Sequence, residues 1–452
     1  MDSKKKLKRL PSISRRNFIK SAAAISGAAI FPNLITSCTN KKSVRRISPN
    51  DHINMGIIGF GWQGYGNTNQ FIHIDGVKII AICDVDKEHL NSGRDFVNGY
   101  YENKDCATYT FHEEMLSRGD LDAVMIALPD HWHAIPAIAC GNAGIHVYGE
   151  KPLSHTLVEG REMVNAMNRE GLIWQTGSWQ RSQSHFHQCA ELVRNGFIGK
   201  VRTIECGLTK GHNDFNKTSH LKKFTDPPSH LNYERWLGPS GSPNDLPYAP
   251  ARVHKNWRWV MAHGGGALLD WVGHHVDIAH WGVGLDNSGP IEVTGKGLFP
   301  PKTDLWDAPT EYNCYAKYDN EIVIHINSDF PSGTKWIGED GWIFVARGGF
   351  GQEDGLKESS IEGIFEEDRS KFSKKLYKSD NHYQNFIDSI RSGKESITPC
   401  ETAHRSASVG HLCNIAMRTG RKINWNPETE EILDDSEASA MLSPTYHGKW
   451  KL

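Results

Sequence analysis

The pattern of apolar and polar positions changes character twice along the chain. Residues 1–37 place a basic stretch before an uncharged run from Ser21 to Ser37, and residues 39–52 are polar and basic, with Pro49, as a linker would be. From Ile53 short, continuous apolar runs take over: Ile53–Ile58, Val77–Cys83, Ala123–Leu128, His146–Tyr148 and Leu172–Gln175. A polar helix follows the first run, and helical stretches at Ile135–Asn142 and Leu157–Glu170 fall between or after the later ones. Unbroken apolar runs belong to strands buried on both faces, and their alternation with helices implies a parallel sheet covered on both sides. Residues 53–178 are therefore expected to form one doubly wound α/β domain.

Beyond Gly177 the runs give way to alternation, at Val201–Leu208, Ile291–Leu298, Tyr312–Tyr318, Ile322–Asn327 and Gly341–Val345. That pattern predicts an α+β domain over residues 179–452, built on a large, mostly antiparallel open sheet. Loops rich in Pro, Gly and His occupy 211–250, and helices are predicted at His382–Arg391 and Thr402–Arg418, the latter stopping before Gly420. The tail from Asn426 is acidic and expected to lie on the surface.

Charge refines this picture. The whole chain of 452 residues carries 51 Lys+Arg and 53 Asp+Glu, a formal −2. Eight of the bases (Lys4, Lys5, Lys6, Lys8, Arg9, Arg15, Arg16, Lys20) and one acid, Asp2, lie in residues 1–37, so the remainder has 43 bases, 52 acids and a charge of −9. An acidic body is a poor partner for nucleic acid. Ser14-Arg15-Arg16-Asn17-Phe18-Ile19-Lys20 has every position of the twin-arginine export signal. The run after it is too short for a membrane span, which needs about 20 apolar residues. It ends in Leu34-Ile35-Thr36-Ser37-Cys38, which resembles a bacterial lipobox. Residues 1–38 thus read as a signal peptide for a periplasmic protein anchored through a lipid on Cys38; ordinary cleavage nearby, leaving a soluble periplasmic protein, is the alternative. The other eight cysteines form no Cys-x-x-Cys pair, and a protein folded in a reducing cytosol before export should keep them as free, mostly buried thiols.

The chemistry begins at Gly59-Phe60-Gly61-Trp62-Gln63-Gly64, a G-x-G-x-x-G between a strand and a helix. Its first glycine serves a tight turn, its second lets a pyrophosphate approach the backbone, and its third lets helix and strand pack closely. Asp84, 20 residues after Gly64 and at the end of the second strand, is placed to bind a ribose 2′-OH and to repel a 2′-phosphate, favouring NAD over NADP. Pro129-Asp130-His131-Trp132-His133 and Gly149-Glu150-Lys151-Pro152 follow later strands, at the edge where open α/β sheets bind ligands. Pro129, His131, His133, Glu150 and Lys151 are assigned to the cofactor. No acid or cysteine at ligand spacing accompanies the two histidines, so no metal is expected.

These motifs, with Gly264-Gly265-Gly266-Ala267-Leu268-Leu269-Asp270-Trp271-Val272-Gly273-His274-His275-Val276-Asp277, resemble the Gfo/Idh/MocA oxidoreductase family over nearly the whole mature chain. The resemblance implies that Lys151 reaches both nicotinamide ribose and substrate, that Pro152 is in a cis peptide, and that Asp270 and His274 line the substrate pocket. The family's glycine two residues after that Asp is replaced here by Val272, with Gly273 following; His274 keeps the Asp-x-x-x-His spacing and is preferred over His275. Family members are often dimers or tetramers through the second domain's sheet, so a homo-oligomer is expected.

Helical spacing puts Asp270, His274 and Asp277 on one face. A histidine of near-neutral pKa, oriented by a carboxylate, suits removal of a hydroxyl proton while hydride leaves the same carbon. Nine of the 14 tryptophans fall between residues 176 and 342, and aromatic faces beside polar groups suit sugar rings. Arg181, His185 and Tyr233, with Gln180 and His187, are candidates for the pocket wall. The sequence is thus expected to encode an exported NAD-dependent enzyme that oxidises a sugar or glycoside hydroxyl, at C3, with tightly bound, internally recycled cofactor. An NAD-dependent glycosidase of the same family and a non-catalytic sugar-binding lipoprotein are the alternatives.

Overall fold

The computed structural model describes residues 51–212, 219–348 and 355–452. The expected export signal and its lipid-bearing Cys38 lie outside the described residues. Six parallel strands, β1 (Ile53–Ile58), β2 (Val77–Cys83), β3 (Ala107–Tyr109), β4 (Ala123–Ile126), β5 (His146–Gly149) and β6 (Trp174–Thr176), form a sheet in the order β3-β2-β1-β4-β5-β6. Because β1 pairs with β2 on one side and β4 on the other, successive connections leave in opposite directions and open a crevice at its carboxyl end. Met55 and Ile57 face one apolar core and Ile58 the other, which is why these strands read as unbroken apolar runs.

The helices of this half are α1 (Trp62–Phe71), α2 (Lys87–Tyr101), α3 (His112–Leu116), α4 (Ala134–Ala143) and α5 (Leu157–Glu170). Three elements, β3, α2 and the five-residue α3, add to the expected set. The strand β3 has only three residues, and α2 buries just Gly93 and Val97, so neither leaves a strong apolar signature. α2 is instead marked by its cap: Asp86 accepts from the Glu88 amide.

The second half contains α6 (Ser184–Arg194), β7 (Val201–Gly207), α7 (Tyr233–Leu237), α8 (Gly266–Val283), β8 (Glu292–Leu298), β9 (Glu311–Lys317), β10 (Val323–Asn327), β11 (Gly333–Gly338), β12 (Trp342–Ala346), β13 (Leu356–Ser359), α9 (His382–Ser392), α10 (Cys400–Thr419), β14 (Ile423–Asn426), β15 (Glu431–Ile432) and α11 (Ser436–Ala440). Its nine strands run β13-β12-β11-β7-β10-β9-β8-β14-β15, antiparallel throughout except for β7 beside β10. Alternation is plain in β9, where Tyr312, Cys314 and Ala316 are buried and Asn313, Tyr315 and Lys317 are exposed. The buried face packs on α8, α6 and α10.

The C-terminal helices serve both halves. Phe386, Ile387 and Ile390 of α9 complete one core of the parallel sheet, and Cys400, Ala403 and Ala407 of α10 complete the other. Ser396 and Thr398 donate to the carbonyls of Trp174 and Thr176 at 2.6 and 2.7 Å, closing the β6 edge. The eight cysteines among the described residues are free and buried. No helix among them is long and apolar enough to cross a membrane.

Candidate active site

The carboxyl ends of the parallel strands open on a cavity of about 840 Å³. The glycine-rich turn forms one wall, and each glycine has its own reason. Gly59 has φ +88°, and a Cβ there would lie 2.2 Å from the Ala127 carbonyl oxygen; a Cβ on Gly64 would lie 2.0 Å from that of Gly59. Around Gly61 the nearest atom to such a Cβ is 4.0 Å away, on His89, so this glycine opens the N-terminus of α1 to the groove. Unpaired amides, the helix dipole and a bare backbone there fit a dinucleotide pyrophosphate.

Asp84 closes the groove at the end of β2. Its carboxylate accepts from the Phe60 amide at 2.8 Å and the Asp86 amide at 2.9 Å, with His89 Nδ1 3.7 Å away. Burial pushes its pKa up, against those hydrogen bonds and the imidazole. The Phe60 side chain packs with Tyr65 and Phe96 in the core, so Phe60 serves the turn through its backbone. Trp62 is 73% exposed, and Lys255 reaches over its ring from the second domain, Nζ to centroid 5.4 Å. The same domain is tied to this rim by the Lys87 amide on the His230 carbonyl, the Asn232 amide on the Val85 carbonyl, and His230 Nδ1 2.9 Å from Asp86 Oδ1.

At the inner end Glu150 is buried and accepts from Asn67 at 2.8 Å and Gln63 at 3.1 Å; burial pushes its carboxyl up, opposed by Lys151 and the two amides. The Lys151-Pro152 peptide is cis. Lys151 Nζ donates to the carboxylate and the carbonyl of Asp270, both at 2.8 Å, and Arg258 Nε stands 3.3 Å from the same carboxylate oxygen. Burial alone would raise the Asp270 pKa, but the two cations outweigh it and hold it below the ordinary value. α8 can pass this close because Gly273 faces Lys151, where a Cβ would be 3.1 Å from the lysine's own. Asp130 behind this pair is buried, and burial together with the Asp270 charge lifts its pKa well above normal, favouring the protonated acid.

His274 lines the cavity between Trp271 and Trp179, ring centroids 5.6 and 6.2 Å away. Among the described residues no carboxylate orients it, contrary to the expectation from helical spacing: Asp270 is bound to Lys151 and Arg258, Asp277 is paired with Arg181, and the His274 Nδ1 is buried without a partner. Burial, then Arg347 and Lys151, push its pKa well below 6.5 rather than near neutrality. His275 turns away, stacked on Trp271 with Nε2 3.2 Å from the Ser332 hydroxyl.

Gly59, Gly61, Trp62, Gln63, Gly64, Asp84, Pro129, Glu150, Lys151, Asp270 and His274 thus meet at one cavity. Others expected there do not line it. His131 touches the carbonyls of Trp236 and His263, and His133 those of Leu128 and Pro152, so both brace the walls. Tyr233 is stacked on Trp236 and bonded to the Leu246 carbonyl; His185 packs on Phe186 in α6, and Gln180 and His187 are buried away from the cavity. Arg181 is locked in an ion pair with Asp277 at 2.6 Å and Asp286 at 2.6 Å. Arg181→Met strands the buried Asp277 carboxylate, while the partly exposed Asp286 keeps Arg194 3.6 Å away, and is expected to cost about 3–5 kcal/mol in urea unfolding. Arg258 and Arg347, which do line the cavity, carry no local sequence signal.

Residues 53–178 match the model of an oxidoreductase family with an NAD-binding Rossmann fold, and residues 183–327 and 361–452 match its C-terminal α/β domain. The chain belongs to the Gfo/Idh/MocA oxidoreductase family. Over 173 residues the chain is 32% identical to a glycosyl hydrolase family 109 protein of Shewanella baltica (strain OS185), covering 35% of this chain and 38% of that protein. It is 30% identical over 211 residues to an alpha-N-acetylgalactosaminidase of Shewanella oneidensis, covering 42% and 44%. These matches therefore span less than half of the relatives' length. Its fold is similar to that of the WlbA dehydrogenase from Bordetella pertussis, solved in complex with NADH and UDP-GlcNAcA: TM-score 0.59, 19% identity, 83% of this chain and 99% of the other.

Proposed function

We propose that this oxidoreductase acts on a carbohydrate hydroxyl, at C3 of a sugar or glycoside, with NAD retained and recycled in place. The observation that carries the reading is the Lys151–Asp270 pair beside His274 in an aromatic-walled cavity continuous with the dinucleotide groove. Gly61 and the α1 N-terminus would hold the pyrophosphate, and Asp84 the ribose hydroxyls, where a 2′-phosphate would be repelled. When bound, the nicotinamide supplies hydride acceptance and return at the carbinol carbon. Lys151, aimed by its two bonds to Asp270, donates to the substrate oxygen and stabilises the charge that develops as its proton leaves. His274 takes that proton at Nε2, because it is the imidazole that lines the cavity beside the Lys151–Asp270 pair, and its lowered pKa leaves it neutral at physiological pH. A depressed pKa makes it hand the proton back readily when the ketone is reduced again. Protonation of His274 removes the acceptor, so kcat/KM should stay level through about pH 6.5, the ordinary imidazole value, and fall only at lower pH; a pH–rate profile checks this.

Recycling is supported by the twin-arginine motif, since no nicotinamide pool is expected outside the cytoplasm. In this scheme one sugar is oxidised and a second is reduced in turn. The protein is read as periplasmic, anchored through Cys38, and homo-oligomeric, the last supported by Leu298 and Tyr315 exposed on the nine-stranded sheet. A second reading is favoured by the glycosidase names of the relatives. Transient oxidation at C3 acidifies the C2 proton, the aglycone is eliminated, water adds to the unsaturated ketone, and reduction restores the sugar. Incubating the purified protein with an aryl glycoside and no added NAD separates the two. A keto-sugar with the aglycone retained supports the first; aryl release without a keto-sugar replaces it by the second.

A further inference from the structure

Arg347 follows β12 and lines the same cavity. Its guanidinium lies against two tryptophan faces, 4.1 Å from the Trp179 centroid and 4.9 Å from that of Trp271. Stacking fixes the plane of the group without using any of its N–H donors. Its Nε and Nη2 have no hydrogen-bond partner, and no described carboxylate forms an ion pair with it. A partly buried guanidinium without a paired anion is costly, because the charges of Asp270 and Glu150 offset its desolvation only in part. Burial lowers its pKa only to about 10, so it remains a cation at neutral pH.

The charges around it do not supply the missing anion. Lys151 and Arg258 both draw on the carboxylate of Asp270, Glu150 is held by amides on the far side of Lys151, and Asp130 favours its protonated form. The substrate end of the cavity is therefore positive. From these observations we propose that Arg347 forms a subsite for an anionic substituent on the substrate, a carboxylate or a sulfate ester, making the substrate class an acidic sugar or glycoside. A planar fork clamped between two indoles presents its edge to such a group and can bind it in two places. The same indole faces offer the apolar side of the sugar ring a surface. This inference rests on the carbohydrate reading above.

The test uses the whole protein with its bound nicotinamide. Reduction of that nicotinamide is followed by its near-ultraviolet absorbance with matched methyl glycosides: neutral, uronate and sulfated. Wild type should favour an anionic member by about ten- to a hundredfold in kcat/KM, carried by KM and weakened by salt. The better of the uronate and the sulfate identifies the group. R347Q should raise KM for the anionic sugar and erase the preference, and R347K should restore part of it. Equal use of neutral and anionic sugars by wild type overturns the inference alone, and needs no variant. So does an R347Q that loses activity equally on both. Failure of every sugar to reduce the nicotinamide overturns the carbohydrate reading itself.

Discussion

Lys151→Met is expected to lower kcat by about a thousandfold or more while the protein stays folded and keeps its nicotinamide. Nζ donates twice to Asp270 and lies in the cavity beside His274, so the variant loses the ammonium that would stabilise the developing oxyanion. Removing one such donor or acid–base group costs about 10²–10⁴ in rate. The scaffold should tolerate the change, because Asp270 keeps Arg258 as a partner at 3.3 Å and the lysine stem is replaced by one of similar length. KM should move far less than kcat, as expected for an interaction that strengthens at the transition state. Single-turnover reduction of the bound nicotinamide by saturating sugar reads this directly. Loss of substrate binding with an unchanged chemical rate would reassign Lys151 to binding alone.

The second large effect concerns the glycines. Gly61→Asp should yield folded protein that purifies without nicotinamide, because there is room for the side chain but its charge would face the pyrophosphate. Gly64→Ala should act on the fold instead: its Cβ would meet the Gly59 carbonyl oxygen at 2.0 Å, so the turn or α1 must shift, at a cost of about 1–3 kcal/mol. Nicotinamide released by acid denaturation, measured beside thermal unfolding of the stripped protein, distinguishes the two. A Gly61→Asp protein that retains stoichiometric nicotinamide would place the cofactor elsewhere.

What could be read from the sequence divides along a physical line. The glycine turn and Asp84 belong to a local motif in which spacing along the chain reports position directly, Lys151, Asp270 and His274 are marked by the family resemblance, and all five meet at the cavity. Both sheets were legible for the same reason, through unbroken and alternating apolar runs. Groups whose role depends on partners distant in sequence were not. Arg181 looks like a pocket residue until Asp277 and Asp286, about a hundred positions away, are seen to hold it. Arg347 looks like any strand-end arginine until Trp179 and Trp271 close on it. Helical spacing predicts Asp270 and Asp277 on the His274 face, but only Asp270 shares its cavity, and other cations claim both carboxylates. The histidine is consequently left as a neutral, uncapped acceptor rather than one member of a carboxylate-oriented pair.

In the proposed reaction a carbohydrate hydroxyl meets an internally held nicotinamide between Lys151 and His274. That reaction is tested most directly by mixing purified protein, with no NAD added, with a series of glycosides and following the absorbance of the bound nicotinamide. Reduction to one equivalent per chain with a matching keto-sugar is expected, and re-oxidation when a second, oxidised sugar is supplied. Protein shown to carry nicotinamide that no glycoside reduces, and that releases no aglycone, would contradict it.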